Sequence, residues 1–313
     1  MLSNNPPRSV PATGGPDTHG PAMSGDIAAR LLADGYAVAP GLLPRSHIGA
    51  LEADLEPCFA ATPFCQGGFY GARTKRFGRL LTRSSRAAAL VQHPVVLGVA
   101  QAALGPWCDT IQLNLTQATE IHPGALAQFP HRDQDMWRGV TGEVEYLVNV
   151  MWPLTPFTRE NGATLIWPDS HGAAALTSES EPAHDAVVAA CEPGDAILFL
   201  GSTLHGAGAN RTGLPRRGII VSYCLGWLKP YENQWLAYPP AVARTFPADL
   251  AALVGYQQHR PNLGNFEGRC PSILLGDEIP DAIGAVDALR PDQASMLDAY
   301  VAEQRTAETQ AAR

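Results

Sequence analysis

The sequence predicts a mainly β protein, a sandwich or barrel with flanking helices. Two observations carry this. From Asp109 the hydrophobic period is two: Thr110, Gln112, Asn114 and Thr116 alternate with Ile111, Leu113 and Leu115, as a half-buried strand requires. Short apolar runs then recur at 127–133, 146–152, 164–168, 196–200 and 218–225, separated by turns rich in Gly, Pro, Asn and Asp. Several short strands at this spacing argue for an all-β core.

Helical signals flank that core. Residues 1–24 are rich in Pro, Gly, Ser and Thr and are expected to be a disordered tail. Ser24 to Asp26 form an N-cap signal ahead of Ile27, Ala28, Leu31 and Leu32 at helical spacing. A short strand is expected over 36–39. A second helix follows over 44–55, with Ile48, Leu51 and Leu55 on one face. Residues 62–86 combine GGFYG with a basic stretch, TKRFGRLLTRS, read as a partly buried charge cluster. Residues 87–104 read as a helix interrupted at His93-Pro94 and stopped at Gly105-Pro106. Beyond the last strand the chain returns to loops and an Ala- and Gln-rich helix. The expected boundaries are a tail over 1–24, one domain over 25–303 with helical elaborations at both ends, and a tail over 304–313.

Composition narrows the function. The chain has 313 residues, 45% hydrophobic and 17% charged, so its body is globular rather than disordered. Net charge is -8 and no run of Lys or Arg forms a basic patch, which argues against nucleic acid as a partner. The six cysteines form no CxxC pair and are expected to be free thiols. There is no apolar leader-like segment, and no unbroken apolar run approaches the roughly 18 residues of a membrane span. The expectation is a cytoplasmic protein with a small-molecule substrate and no membrane partner.

The chemistry lies in three residues. Of nine histidines, His131 stands in QFPHRD, two positions before Asp133. On a strand such positions face one side, about 7 Å apart, so imidazole and carboxylate can converge on one ion. His205, after the 196–200 strand, supplies a third ligand. Two His and one carboxylate form the facial triad of non-haem iron(II) oxygenases, which leaves coordination positions open. Arg216, at the start of the next strand, offers a permanently charged fork for a distal carboxylate such as that of 2-oxoglutarate.

At these residues the sequence resembles the phytanoyl-CoA dioxygenase family of 2-oxoglutarate oxygenases, over about residues 27–270. The resemblance rests on the HxD pair at His131 and Asp133, on NGAT…PDSH from Asn161 to His171, and on HGAGANRT…R from His205 to Arg216. It implies a double-stranded β-helix (jelly-roll, cupin-like) core with flanking helices. It implies iron(II) held by His131, Asp133 and His205, with 2-oxoglutarate and O2 as cosubstrates. Arg216 would anchor 2-oxoglutarate, helped by Gln128, Thr164 and an upstream basic residue. Arg76 is preferred for that last role over Arg73 and Arg83. QLNLTQATEIHPGALAQFPHRDQDMW is similar to the branch acting in secondary metabolism, whose fungal members are often dimers; a homodimer is the matching expectation. Halogenases of this family lack the carboxylate ligand, so Asp133 favours oxygenation, with Asp135 outside the ligand set. The implied reaction converts 2-oxoglutarate to succinate and CO2 while an unactivated C–H bond of a hydrophobic molecule is oxidised, by default hydroxylated. Candidate pocket residues are Phe77, Leu80, Gln112, Asn114, Met136, Trp137 and Trp227. Two other classes compete: a cupin-like isomerase or hydrolase without 2-oxoglutarate, which shares the strands and triad but leaves Arg216, Gln128 and Thr164 without a joint purpose, and a non-catalytic binding barrel, whose expected signature is a broken triad where this one is complete.

Overall fold

A computed structural model describes residues 20–140, 142–177, 184–279 and 281–311. Nine strands form two antiparallel sheets: β1 Tyr36–Ala39, β2 Thr74–Phe77, β3 Ile111–Ile121, β4 Leu147–Pro153, β5 Thr164–Ile166, β6 Val187–Val188, β7 Ala196–Leu200, β8 His205–Ala207 and β9 Arg216–Leu225. The large sheet runs β1-β7-β4-β9-β3-β2 and the small one β6-β5-β8. Together they make the expected jelly-roll core.

The alternation of side chains across each strand sorts residues into two cores. On one face of the large sheet, Val148, Val150, Trp152, Leu198, Ile219, Val221 and Tyr223 pack against helices. These are α1 Gly20–Asp34, α2 Arg45–Ala61, α3 Ala87–Val91 and α4 Pro94–Leu104. Ile48, Leu51, Leu55 and Phe59 are the buried face of α2. On the opposite face Met151, Ile197 and Phe199 meet Ile166, Phe157 and Cys191 in a smaller interior cluster. That interior, open at one end, houses the site.

Several expectations need correction. Residues 127–133 form no strand; only His131 makes an isolated bridge. Pro130 has no N–H to give a ladder, so pairing breaks there. β2 lies inside the basic stretch, where a charge cluster and no strand was read. α1 starts at Gly20, with Pro21 at a position where a missing N–H costs nothing; residues 1–19 lie outside the described residues. The C-terminal helix spans Pro291–Ala311, so 304–311 are helical rather than tail. The segment Ala87–Trp107 has the length and mean hydropathy of a membrane span. It breaks at His93, and Leu90, Val91, Val95, Val96, Val99, Ala100 and Leu104 are buried in the helix-side core.

A buried ion cluster locks α2 to the sheet. The Glu120 carboxylate, 3% exposed, accepts Arg217 Nε at 2.6 Å and lies 3.6 Å from Lys75 Nζ. His122 Nε2 meets it at 2.7 Å. Arg217 also reaches Glu52 and Glu56 on α2. Burial pushes the Glu120 carboxyl up, but His122 and Arg217 outweigh it and hold the carboxyl below its usual value. A lowered acid stabilises the fold above its unfolded pKa, and that stabilisation is lost as pH falls through the folded value. Glu120→Ala leaves Lys75 without an acid and Arg217 with only the more exposed Glu52 and Glu56, and should cost about 3 kcal/mol at neutral pH in urea unfolding, with the deficit shrinking below roughly pH 4.

Candidate metal centre and active-site cleft

His131 and His205 are paired through their backbones. Each N–H donates to the other residue's carbonyl, at 2.9 and 3.0 Å. β8 thus begins at His205, and the bridge delivers the loop carrying Asp133 to the mouth of the barrel. Asp133 then opens a short 3-10 helix, Asp133–Met136, rather than continuing a strand. The three side chains converge all the same: one ligand atom from each lies within 4.8 Å of the others.

The histidine tautomers follow from their partners. His131 Nδ1 sits 2.9 Å from Phe129 O, and His205 Nδ1 sits 3.0 Å from Thr203 O. A carbonyl only accepts, so each Nδ1 carries the proton and each Nε2 presents its lone pair. Both Nε2 atoms face Asp133, at 3.3 Å from His131 and 3.5 Å from His205. Asn149 Nδ2 donates to Asp133 Oδ2 at 3.0 Å, which fixes the carboxylate's orientation. Burial raises the Asp133 carboxyl, but where the two imidazoles carry a second proton, on Nε2, their charge prevails and holds it far below the usual carboxylate range. With a metal in place of those protons, the donor set is two neutral imidazoles and one carboxylate on one side of a cleft, the arrangement that suits iron(II).

Positive charge lines the same interior. Arg216 is 2% exposed. It donates to Gly162 O and lies 4.2 Å from the Phe157 ring centroid. Gly162 has φ +85°, and a Cβ there would fall 2.4 Å from Gly208 O, so the NGAT turn needs glycine. No carboxylate pairs with Arg216 among the described residues. Burial, and then the nearby Arg76, push its guanidinium down to about 9, so it stays charged at neutral pH. Arg76 lines the metal cleft, donates to Gln117 Oε1 at 3.3 Å and also lacks a carboxylate partner among the described residues. Two unpaired guanidiniums fit a dianion.

The upstream arginines separate cleanly. Arg73 Nε donates to Pro123 O at 2.6 Å, and Arg83 Nε to Gly78 O at 2.8 Å. Of the three, only Arg76 borders the metal cleft. Gln128 lines an adjoining groove with Arg73 and Arg76; its Oε1 accepts from Ala207 N at 3.3 Å. Thr164 is buried on β5 opposite Ala207, in register with interior Ile166.

The metal cleft holds about 330 Å³. Asn114 and Met136 line it. The other five pocket candidates do not. Phe77 and Leu80 are buried in the helix-side core, Phe77 against Phe59. Gln112 and Trp227 line a separate cavity of about 360 Å³. A β-bulge between Leu113 and Leu115 turns Asn114 away from the face of Gln112. Trp137 packs edge-on to Tyr146 and donates to Lys229 O. Sequence reading missed Asn149, Gln117 and Tyr231. It noted GGFYG without assigning it, and Phe69 and Tyr70 from that stretch both line the cleft.

The fold and the His–Asp–His cluster define a jelly-roll of the non-haem metal oxygenase type. The sequence model for phytanoyl-CoA dioxygenase (PhyH) matches residues 31–218. The chain is 30% identical over 281 residues to the dioxygenase FrzG of Cladobotryum sp, covering 80% of this chain and 88% of that one. It is 29% identical to the multifunctional dioxygenase ausE of Aspergillus calidoustus, covering 82% and 90%. The structure of the epimerase SnoN in complex with Fe3+, alpha ketoglutarate and nogalamycin RO superposes with TM-score 0.56 at 22% identity, covering 66% of this chain and 85% of that one. HygX from Streptomyces hygroscopicus, with nickel and 2-oxoglutarate bound, gives 0.51 at 14%, covering 66% and 89%. The chain belongs to the phytanoyl-CoA dioxygenase family.

Arg216→Met removes a buried, unpaired charge while keeping much of its volume. It should raise ligand-free stability by about 1 kcal/mol in chemical denaturation.

Proposed function

We propose that this protein is an iron(II)- and 2-oxoglutarate-dependent dioxygenase acting on a hydrophobic small molecule of secondary metabolism, with hydroxylation as the default outcome. The observation that carries this reading is the convergence of His131, Asp133 and His205 beside buried Arg216 and half-buried Arg76, neither of which has a carboxylate partner among the described residues. The dioxygenases FrzG and ausE, and the metal- and 2-oxoglutarate-bound structures of SnoN and HygX, support it.

In this reading His131 Nε2, His205 Nε2 and the Asp133 carboxylate hold iron(II). Arg216 receives the distal carboxylate of 2-oxoglutarate, with Thr164 and Gln128 at the sides of that site. Arg76 neutralises the other end of the dianion. Bound iron(II), 2-oxoglutarate and O2 supply the oxidation of a C–H bond to C–OH, with succinate and CO2 as coproducts. The protein orients the reactants and excludes water. Asn149 keeps Asp133 in ligating geometry. Leu147, Ile220, Met136 and Phe69 give the cleft its apolar wall.

Anaerobic addition of iron(II) and 2-oxoglutarate should give a weak visible charge-transfer band, and air should then give succinate. His131→Ala and Asp133→Ala should abolish the band. An unchanged band in those variants would put the metal elsewhere; intact metal binding with neither 2-oxoglutarate binding nor turnover would sink the reading. Asn149→Ala should weaken iron(II) binding by about 10- to 100-fold, as removal of a ligand's hydrogen-bond partner does, measured by competition with a coloured chelator.

A further inference from the structure

Most polar side chains of the metal cleft are already engaged by the protein. Asn114 donates to Ser222 Oγ at 3.0 Å and accepts from Tyr231 N at 2.7 Å. Asn149 is held on Asp133. Arg132 donates to Ser202 O and Ser170 O. Gln117 accepts from Arg76, and Asp135 is exposed at the rim. The exception is a pair of phenols. Tyr70 and Tyr231 meet hydroxyl to hydroxyl at 2.5 Å, and among the described residues neither hydroxyl has another hydrogen-bond partner. Two hydroxyls sharing one bond keep a spare O–H and spare lone pairs.

Tyr70 rides on a loop bounded by Gly67 (φ +92°) and Gly71 (φ +83°), conformations that glycine adopts without strain. Phe69 of that loop stands edge-on to His131 with ring centroids 4.8 Å apart. The Tyr70 ring lies 4.9 Å from the Arg76 guanidinium carbon. Tyr231 comes from the segment after β9, so the phenol pair spans from the loop to the segment after β9. Beyond Arg76, Gln117, Asp135 and the metal ligands, the remaining cleft wall open to a ligand is apolar: Phe69, Leu115, Met136, Leu147 and Ile220.

Resting on the oxygenase reading, we propose that Tyr70 and Tyr231 are the specificity-determining pair of this cleft, and that its substrate is an apolar molecule whose hydroxyl or carbonyl oxygen inserts between the two phenols. Such an oxygen replaces the hydrogen bond that its arrival breaks. A ligand lacking it separates the phenols with no replacement of its own; both rings are part-exposed, so water meets some of the loss and the remainder disfavours binding several-fold. The phenol pair bridges the cleft wall between the 67–71 loop and the segment after β9, and only the oxygen-bearing ligand parts the two hydroxyls at little cost.

The test is hydrogen–deuterium exchange of the 65–73 segment in the full chain under nitrogen, where no turnover occurs. The probes are 1-tetralone and tetralin, which differ by one carbonyl oxygen. Without ligand, Tyr70→Phe and Tyr231→Phe should each speed exchange several-fold, and the double variant no more than either, because the bond is shared. In the wild type 1-tetralone should slow exchange at concentrations several-fold below those tetralin needs, and either Phe substitution should erase the difference. Effects that multiply in the double variant, equal response to both probes, or no response to either would overturn the proposal. Failure of the oxygenase reading would show instead as a missing charge-transfer band, which this exchange experiment does not depend on.

Discussion

The site depends on two backbone hydrogen bonds, those exchanged between His131 and His205. The bridge joins the end of the small sheet to a loop outside any strand, which Gln128 N on Ala207 O at 2.8 Å and Gln134 N on Gly201 O at 3.0 Å also hold in place. Through it the two imidazoles are set side by side, with ring centroids 4.5 Å apart. Asp133 follows two residues on, where the chain turns into a 3-10 helix, and swings under both rings. The carbonyls of Phe129 and Thr203 then fix the proton on each Nδ1. Each of these steps uses backbone groups, so the chelating geometry is set before any metal arrives, and little ordering entropy remains to oppose binding.

The fold around this bridge was legible wherever the hydrophobic period was strong. The alternation at 110–116 and the runs at 146–152, 196–200 and 218–225 became the strands 111–121, 147–153, 196–200 and 216–225. All four lie beside one another at the centre of the large sheet. Short elements were less legible. β2 and β8 have four and three residues, too few for a period to show, and β2 is built from Thr, Lys, Arg and Phe. Their strand character comes from neighbours that supply hydrogen bonds, which is a tertiary effect.

The site was legible in its charged members and illegible in its walls. His131, Asp133, His205 and Arg216 are residue types whose burial demands a reason, so their spacing carried information. Strand geometry nonetheless gave the convergence of His131 and Asp133 for the wrong cause, since no strand is present there. Asn114 and Met136 line the cleft, while the other five pocket candidates lie elsewhere, in part because apolar residues look alike in sequence on both faces of a sheet. Phe77 and Leu80 face the helices, and one bulge at Asn114 reversed the parity that had tied it to Gln112. Tyr231 carried no signal, as it belongs to a loop whose path is set by Asn114 accepting its N–H.

Arg216 and Arg217 show how far residue type alone can lead. They are adjacent on β9, so they point to opposite faces. Arg217 finds Glu52, Glu56 and Glu120, and its charge is well compensated. Arg216 finds one carbonyl and one ring. A buried cation without an anion is a cost to the empty fold, and folding alone would favour an apolar side chain in its place. Under the proposed function the same deficit would turn into affinity for a dianion, because the charge has already been stripped of water and held in position. The large sheet therefore carries its compensated charge on the face turned to the helices and its uncompensated charge on the face turned to the metal. Alternation along a single strand separates stability from function by one residue.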